Sequence, residues 1–120
     1  MNKSLKVISF SYVDLSEFAF SLINLIAKNQ VITVLNLDNC GIDITLGFME
    51  GIISSKSLKY LDLSGNKIKE EVISLFSKLN LKGINLENAG ISKSDEEIIY
   101  AKIPKIDYTF DLLEYEKFLS

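Results

Sequence analysis

The frame Leu-x-x-Leu-x-Leu-x-x-Asn, filled by Leu58, Leu61, Leu63 and Asn66, constrains this 120-residue chain more than any other feature. Ile32, Leu35, Leu37 and Cys40 fill the same frame upstream, and Leu81, Ile84, Leu86 and Ala89 fill it downstream. Two looser copies flank these three. Leu5, Ile8, Phe10 and Val13 form one, and Ile103, Ile106 and Tyr108 match the first three positions of the other. A frame that returns every ~20–30 residues marks a stack of units, none of which can bury its apolar face alone.

Within the frame Leu61 and Leu63 alternate with Asp62, which gives a strand with one apolar and one polar face. The gaps between copies are long enough for helical crossovers, which parallel strands require. Strands are expected near 5–10, 32–37, 58–63, 81–86 and 103–108. The segments LNLDNCGI (35–42), LDLSGNKI (61–68) and INLENAGI (84–91) resemble the leucine-rich repeat family. The Cys40/Asn66 alternation and the long period are similar to its ribonuclease-inhibitor-like class, in which each unit pairs one strand with one helix. The resemblance implies an α/β fold: a right-handed solenoid of about five strand–helix units, with a curved parallel sheet and helices on the convex side. It extends over nearly the whole chain, so residues 1–120 are expected to form a single domain. Asn66 is expected to turn inward and bond backbone groups of adjacent turns. Cys40 suits the same place as a small, weak donor. Val13 and Ala89 cannot make those bonds, so their levels of the stack are expected to be less well satisfied.

The connecting segments read as helices. Asp14 and Glu17 form a capping-box pattern before a helix running to about Lys28, with Phe18, Leu22, Ile23, Leu25 and Ile26 on one arc. Phe20 falls off that arc and is expected to pack at the curved end of the stack. A second helix near 44–53 contains Gly47 and Gly51, each costing about 1 kcal/mol relative to Ala, and is expected to be short or loose. A third, 69–79, has Glu70 and Glu71 in its first turn and Val72, Leu75, Phe76 and Leu79 on its buried arc. A fourth starts at the Ser94/Glu97 capping box and ends before Pro104. A last helix, 111–119, is expected to cover the open end.

Composition excludes several function classes. Arginine, histidine and tryptophan are absent. The chain therefore lacks the bidentate fork favoured for phosphates and guanine edges, and it lacks the commonest general base and transition-metal ligand. With a net charge of −3, nucleic acid is not an expected partner. The acidic excess lies after Ile91. Cys40 has no second cysteine to pair with and no histidine to activate it, so neither a disulfide nor a thiol nucleophile is expected. Gly41 and Gly65 fall in turns and not in a phosphate-cradling pattern. The apolar run from Phe18 to Ala27 is too short to span a bilayer, and Asp14 interrupts any signal-like stretch. The expectation is a cytoplasmic protein without cofactor, metal or membrane partner. The Lys/Ile/Asn-rich, Arg-free usage is similar to that of low-GC bacteria and protists, including intracellular bacteria that send such proteins into host cells, so a bacterial effector in the host cytosol fits as well.

Residues between the strand leucines point away from the core. They form three rows: Val7, Val34, Tyr60, Gly83 and Lys105; then Ser9, Asn36, Asp62, Asn85 and Asp107; then Ser11, Asp38, Ser64, Glu87 and Thr109. The face is small-residued and acidic, with Tyr60 as its one aromatic. The expected function is non-catalytic protein–protein interaction. A basic segment of another protein would bind on the concave face through Val34, Asn36, Asp38, Tyr60, Asp62, Ser64, Asn85, Glu87 and Asp107, with Tyr60 as anchor and the acids as steering charges. The alternative is a structural, self-associating solenoid subunit joined through its N-terminal strand edge.

Overall fold

The apolar alternation of each unit yields a short strand, and the strands stack in parallel. The computed structural model describes residues 6–28 and 30–106. Its strands are β1 (Lys6–Ser9), β2 (Ile32–Asn36), β3 (Asp43–Ile44), β4 (Tyr60–Asp62), β5 (Lys67–Ile68) and β6 (Gly83–Asn85). The main sheet has the order β1-β2-β4-β6, and β3 pairs with β5 in a separate two-stranded sheet. The crossovers carry α1 (Ala19–Lys28), α2 (Leu46–Ser54), a 3-10 helix (Glu70–Lys78) and α3 (Lys93–Tyr100). The expected helix 111–119 lies outside the described residues.

The repeat frame sets the register. Val7, Val34, Tyr60 and Gly83 lie side by side, as do Ile8, Leu35, Leu61 and Ile84, and then Ser9, Asn36, Asp62 and Asn85. Leu35, Leu37, Leu61, Leu63, Ile84 and Leu86 are completely buried. They pack on one side of the sheet against Ile26 of α1, Met49 and Ile52 of α2, Val72 and Phe76 of the 3-10 helix, and Ile99 of α3. Area-based burial stabilises each such side chain by about 1.5–3 kcal/mol.

The fifth copy departs from the frame. Its described part makes a single parallel bridge in which Lys105, not Ile106, stands opposite Ile84. A one-residue slip moves a side chain to the other face of a sheet. Ile106 accordingly joins Val34, Tyr60 and Val7 on the face away from the helices, while Ile103 reaches the main core. Gly83 makes the slip sterically feasible. A Cβ there would lie 2.9 Å from both Ile106 Cγ1 and Tyr60 Cδ1.

The helices differ from expectation in detail. Asp14 Oδ1 accepts the N–H of Ser16 at 3.0 Å in a local turn, and α1 starts only at Ala19. Leu22, Ile23 and Ile26 are its buried residues. Phe18 and Leu25 are 60% and 54% exposed and Phe20 is 79% exposed, because α1 packs mainly against α2 and is the outermost helix among the described residues. Gly51 does not loosen α2: a Cβ there would collide with the side chain of Ile23, so the missing side chain lets the two helices approach. Thr45 caps α2, its hydroxyl accepting the N–H of Phe48 at 3.5 Å. The third crossover is a 3-10 helix of nine residues, far beyond the usual run of about three or four. Ser92, not Ser94, caps α3 by accepting the N–H of Asp95 at 3.1 Å.

After each strand of the main sheet the chain turns through a left-handed residue, at Tyr12, Asn39, Gly65 and Asn88, and Gly41 and Gly90 add a second one in two of these turns. The position immediately before the frame's Asn/Cys position therefore favours Asn or Gly, residues that adopt this backbone at low cost. Asn66 turns inward as expected. Its Oδ1 accepts the N–H groups of Cys40 (3.1 Å) and Ile42 (3.0 Å), and its Nδ2 donates to Leu37 O (2.7 Å) and Leu63 O (3.1 Å). Cys40 donates through its thiol to Phe10 O at 2.9 Å.

Candidate protein-binding face

The face away from the helices is built from the residues between the strand leucines. Its middle row is committed to the fold. Asn36, Asp62 and Asn85 each turn an Oδ1 back to accept the N–H two residues on, from Asp38 (3.0 Å), Ser64 (2.9 Å) and Glu87 (2.9 Å). Asn and Asp favour this turn because the short side chain substitutes for a backbone acceptor. Ser64 also donates its hydroxyl to Asp62 Oδ1 at 2.6 Å, and Asn85 Nδ2 donates to Ile106 O at 3.0 Å. Ser64 and Asn85 are thereby fully buried.

Tyr60 is not the exposed aromatic that the alternation predicts. It is 5% exposed, packed with Val7, Val34 and Ile106, and burial raises its phenol above the ordinary range. Val34 is buried in the same cluster. The vacancy at Gly83 and the slipped Ile106 explain the difference, and neither is visible in the alternation of a single strand. Lys105 leaves the expected first row with the same slip. It pairs with Glu87 at 2.9 Å and lies 5.8 Å over the ring of Tyr100.

What remains accessible is a strip of half-buried Asn36, Asp38, Asp62 and Glu87 across neighbouring strands. Asp107 lies outside the described residues. Burial pushes the Asp62 carboxyl up; the Ser64 hydroxyl and N–H oppose this, and the nearby Asp38 and Glu87 reinforce it. One oxygen of Asp38 is buried without a hydrogen-bond partner among the described residues. The strip is therefore a run of carboxylates whose charge is incompletely compensated, a setting that favours an incoming cationic donor.

Cys40 is fully buried, and burial raises its thiol away from the thiolate that nucleophilic chemistry needs. Among the described residues no three His, Cys, Asp or Glu side chains are grouped to hold a metal, and no helix is long and apolar enough to cross a membrane.

Comparison with known proteins agrees with this geometry. Residues 57–79 match the family model described as Leucine Rich Repeat. The tropomodulin C-terminal domain of Caenorhabditis elegans superposes with a TM-score of 0.69 at 17% identity, covering 97% of this chain and 81% of that one. Leiomodin-1 Actin-Binding Site 2 superposes with a TM-score of 0.65 at 15% identity, covering 95% of this chain and 76% of that one. No curated protein matches the chain by sequence. The matched unit carries the full Leu58–Asn66 frame, and the units on either side stack on it in register, so residues 57–79 read as a leucine-rich repeat and the rest of the described chain shares its fold.

Proposed function

We propose that this domain is a non-catalytic protein-binding module whose open sheet face receives a basic segment of another protein. The observation that carries the reading is the strip of Asp38, Asp62 and Glu87 at the ends of consecutive strands, with an ion pair from Glu87 to Lys105. Burial and mutual repulsion raise Asp62, so a Lys or Arg from a partner would gain by relieving both. Tyr60 contributes by packing beside the strip, in the cluster with Val34 and Ile106, and not as an anchor. Asn36, Ser64 and Asn85 hold the strand exits that present the acids. The similarity of the fold to Leiomodin-1 Actin-Binding Site 2 supports a protein partner, and actin itself is the first one to try.

A titration with a Lys-rich peptide at low salt, followed by backbone amide NMR, tests the reading. Shifts are expected at 36–38, 62–64 and 85–87, with at least tenfold weaker binding to an Asp38→Asn, Glu87→Gln double variant; tenfold is about 1.4 kcal/mol. Equal affinity of the two proteins would remove the face from consideration. Co-sedimentation with actin filaments, with the same variant as control, addresses that partner directly.

One observation favours self-association as a second reading. The outer end of the stack exposes Tyr12 (76%), Phe18 (60%) and Phe20 (79%), and β1 is an edge strand of its sheet among the described residues. Exposed apolar surface beside an unpaired strand invites a second chain. Light scattering over a concentration series checks it: a monomer at millimolar concentration rules it out.

A further inference from the structure

The helix layer is not closed between the 3-10 helix and α3. A cavity of about 390 Å³ lies there, lined by Glu70, Ile73, Phe76, Ile98, Ile99 and Lys102 among others. A second hollow of about 270 Å³ shares Glu70, Ile73 and Asp95 with it, so the two form one groove. The gap has a local cause. A 3-10 helix is a tighter coil than an α-helix, with about 3.0 residues per turn, and it replaces the α-helix that the preceding unit carries at this place. It fills less of the layer, and Ile98 is left 63% exposed at the groove's lip.

We infer that this groove docks one amphipathic helix of a partner protein, seated by two apolar side chains a turn apart and oriented by a Lys or Arg against Glu70 and Asp95. Three features select that occupant. First, every residue lining the larger cavity lies on the 3-10 helix, on α3 or in the turn that closes α3. None of these residues lies on a strand, so a ligand seated in the larger cavity must satisfy its own backbone, as a helix does. Second, the walls are largely apolar through Ile73, Phe76, Ile98 and Ile99, and the volume sits at the small end of ligand pockets, enough for a few side chains. Third, the charges are polarised. Glu70 opens the 3-10 helix and Asp95 lies in the first turn of α3, while Lys102 follows the end of α3. A docked helix with its N-terminal, positive end and a basic residue toward the two acids, and its C-terminal end toward Lys102, meets opposite charge at both ends.

This site lies on the helix side of the sheet, apart from the acidic strip, and does not depend on it. The test uses the full chain and an alanine-based helical peptide carrying Leu at i and i+4 and Lys one turn before them. Amide NMR is expected to show saturable shifts confined to 68–77 and 90–102. Ile98→Asp, at an exposed position that leaves the core intact, should weaken binding at least tenfold. Glu70→Lys should weaken the Lys peptide severalfold and bind better to the same peptide with Glu in place of Lys. Asp38→Asn should leave binding unchanged. Absence of saturable shifts at millimolar peptide overturns the inference. So do shifts mapping to 36–38, 62–64 and 85–87 or to α1, and so does indifference to both the Ile98 change and the charge exchange.

Discussion

Two levels of the turn stack solve the same problem with different groups. Between the second and third units, Asn66 Oδ1 takes the N–H groups of both Cys40 and Ile42, and the chain beyond pairs as β3 with β5. Between the third and fourth units the corresponding side chain is Ala89, which has no acceptor. There Ile68 N–H goes to the backbone carbonyl of Ala89 at 2.9 Å, and Asn66 N–H falls back on Leu63 O at 3.3 Å. The first level repeats the second pattern: Leu15 N–H bonds Cys40 O at 2.9 Å, and Val13 N–H bonds Phe10 O at 2.8 Å. The levels next to Val13 and Ala89 are thus satisfied, by backbone instead of by side chain. The difference teaches that the asparagine amide is not the sole way to satisfy these turns. What it adds is a cross-link between neighbouring units, and the two-stranded sheet forms at that level.

The sharpest way to break the comparison is Asn66→Ala. It strips the acceptor from two buried N–H groups and a donor from Leu37 O, and each orphaned group costs about 1–3 kcal/mol. A loss of about 3 kcal/mol or more is expected, read as a lower urea midpoint at unchanged slope. If the turn instead relaxed to the Ala89 pattern without loss, the amide would be redundant. Next comes Gly83→Val, aimed at the slipped fifth copy. Overpacking against Ile106 and Tyr60 should cost about 1–3 kcal/mol and expose the amides of Ile84 and Ile106 to hydrogen exchange. Unchanged protection would mean that the slip does not need the vacancy. Cys40→Ala removes a weak donor at a level whose N–H groups are held by backbone, so about 1 kcal/mol is expected. A loss equal to that of Asn66→Ala would erase the distinction between the two levels.

The smallest effect belongs to the open face. Asp62 has Asn36 and Asn85 as row neighbours, so Asp62→Asn keeps the Oδ1 that caps Ser64 N–H. The folded carboxyl titrates above its ordinary value of 3.8, chiefly through burial. Native protein thus binds the proton more tightly than unfolded chain, and the ionised group opposes folding. The stabilising effect of the protonated form is complete below pH 3.8 and is lost as pH rises through the raised value. The variant should be slightly more stable than the parent at pH 7, and the gap should close on acidification toward pH 3. A gap that is constant with pH would show that charge is not the cause.

Much of the fold was legible because the repeat frame states a periodicity, and burial follows periodicity. Leu35, Leu61 and Ile84, spaced by the frame, lie side by side in the sheet. The candidate site was legible as rows but not as exposure. Tyr60 was expected outside because its neighbours in sequence alternate; it is inside because Gly83 and Ile106, distant in sequence, create and fill a space beside it. Nor does a strand pattern reveal that Asn36, Asp62 and Asn85 spend their acceptors on their own backbone. The tighter helix at 70–78 was equally hidden, since Val72 and Phe76 fit an α-helical arc as well as they fit the observed 3-10 helix.

The sequence by itself determined which residues go inward at each repeat and that neighbouring units stack in parallel, because a period-2 apolar strand has one buried face and its spacing carries the register. Tertiary structure alone decided the register of the last copy, the burial of Tyr60 and the open groove beside the 3-10 helix. Each of these turns on whether space exists between elements far apart in the chain, and local pattern holds no record of space.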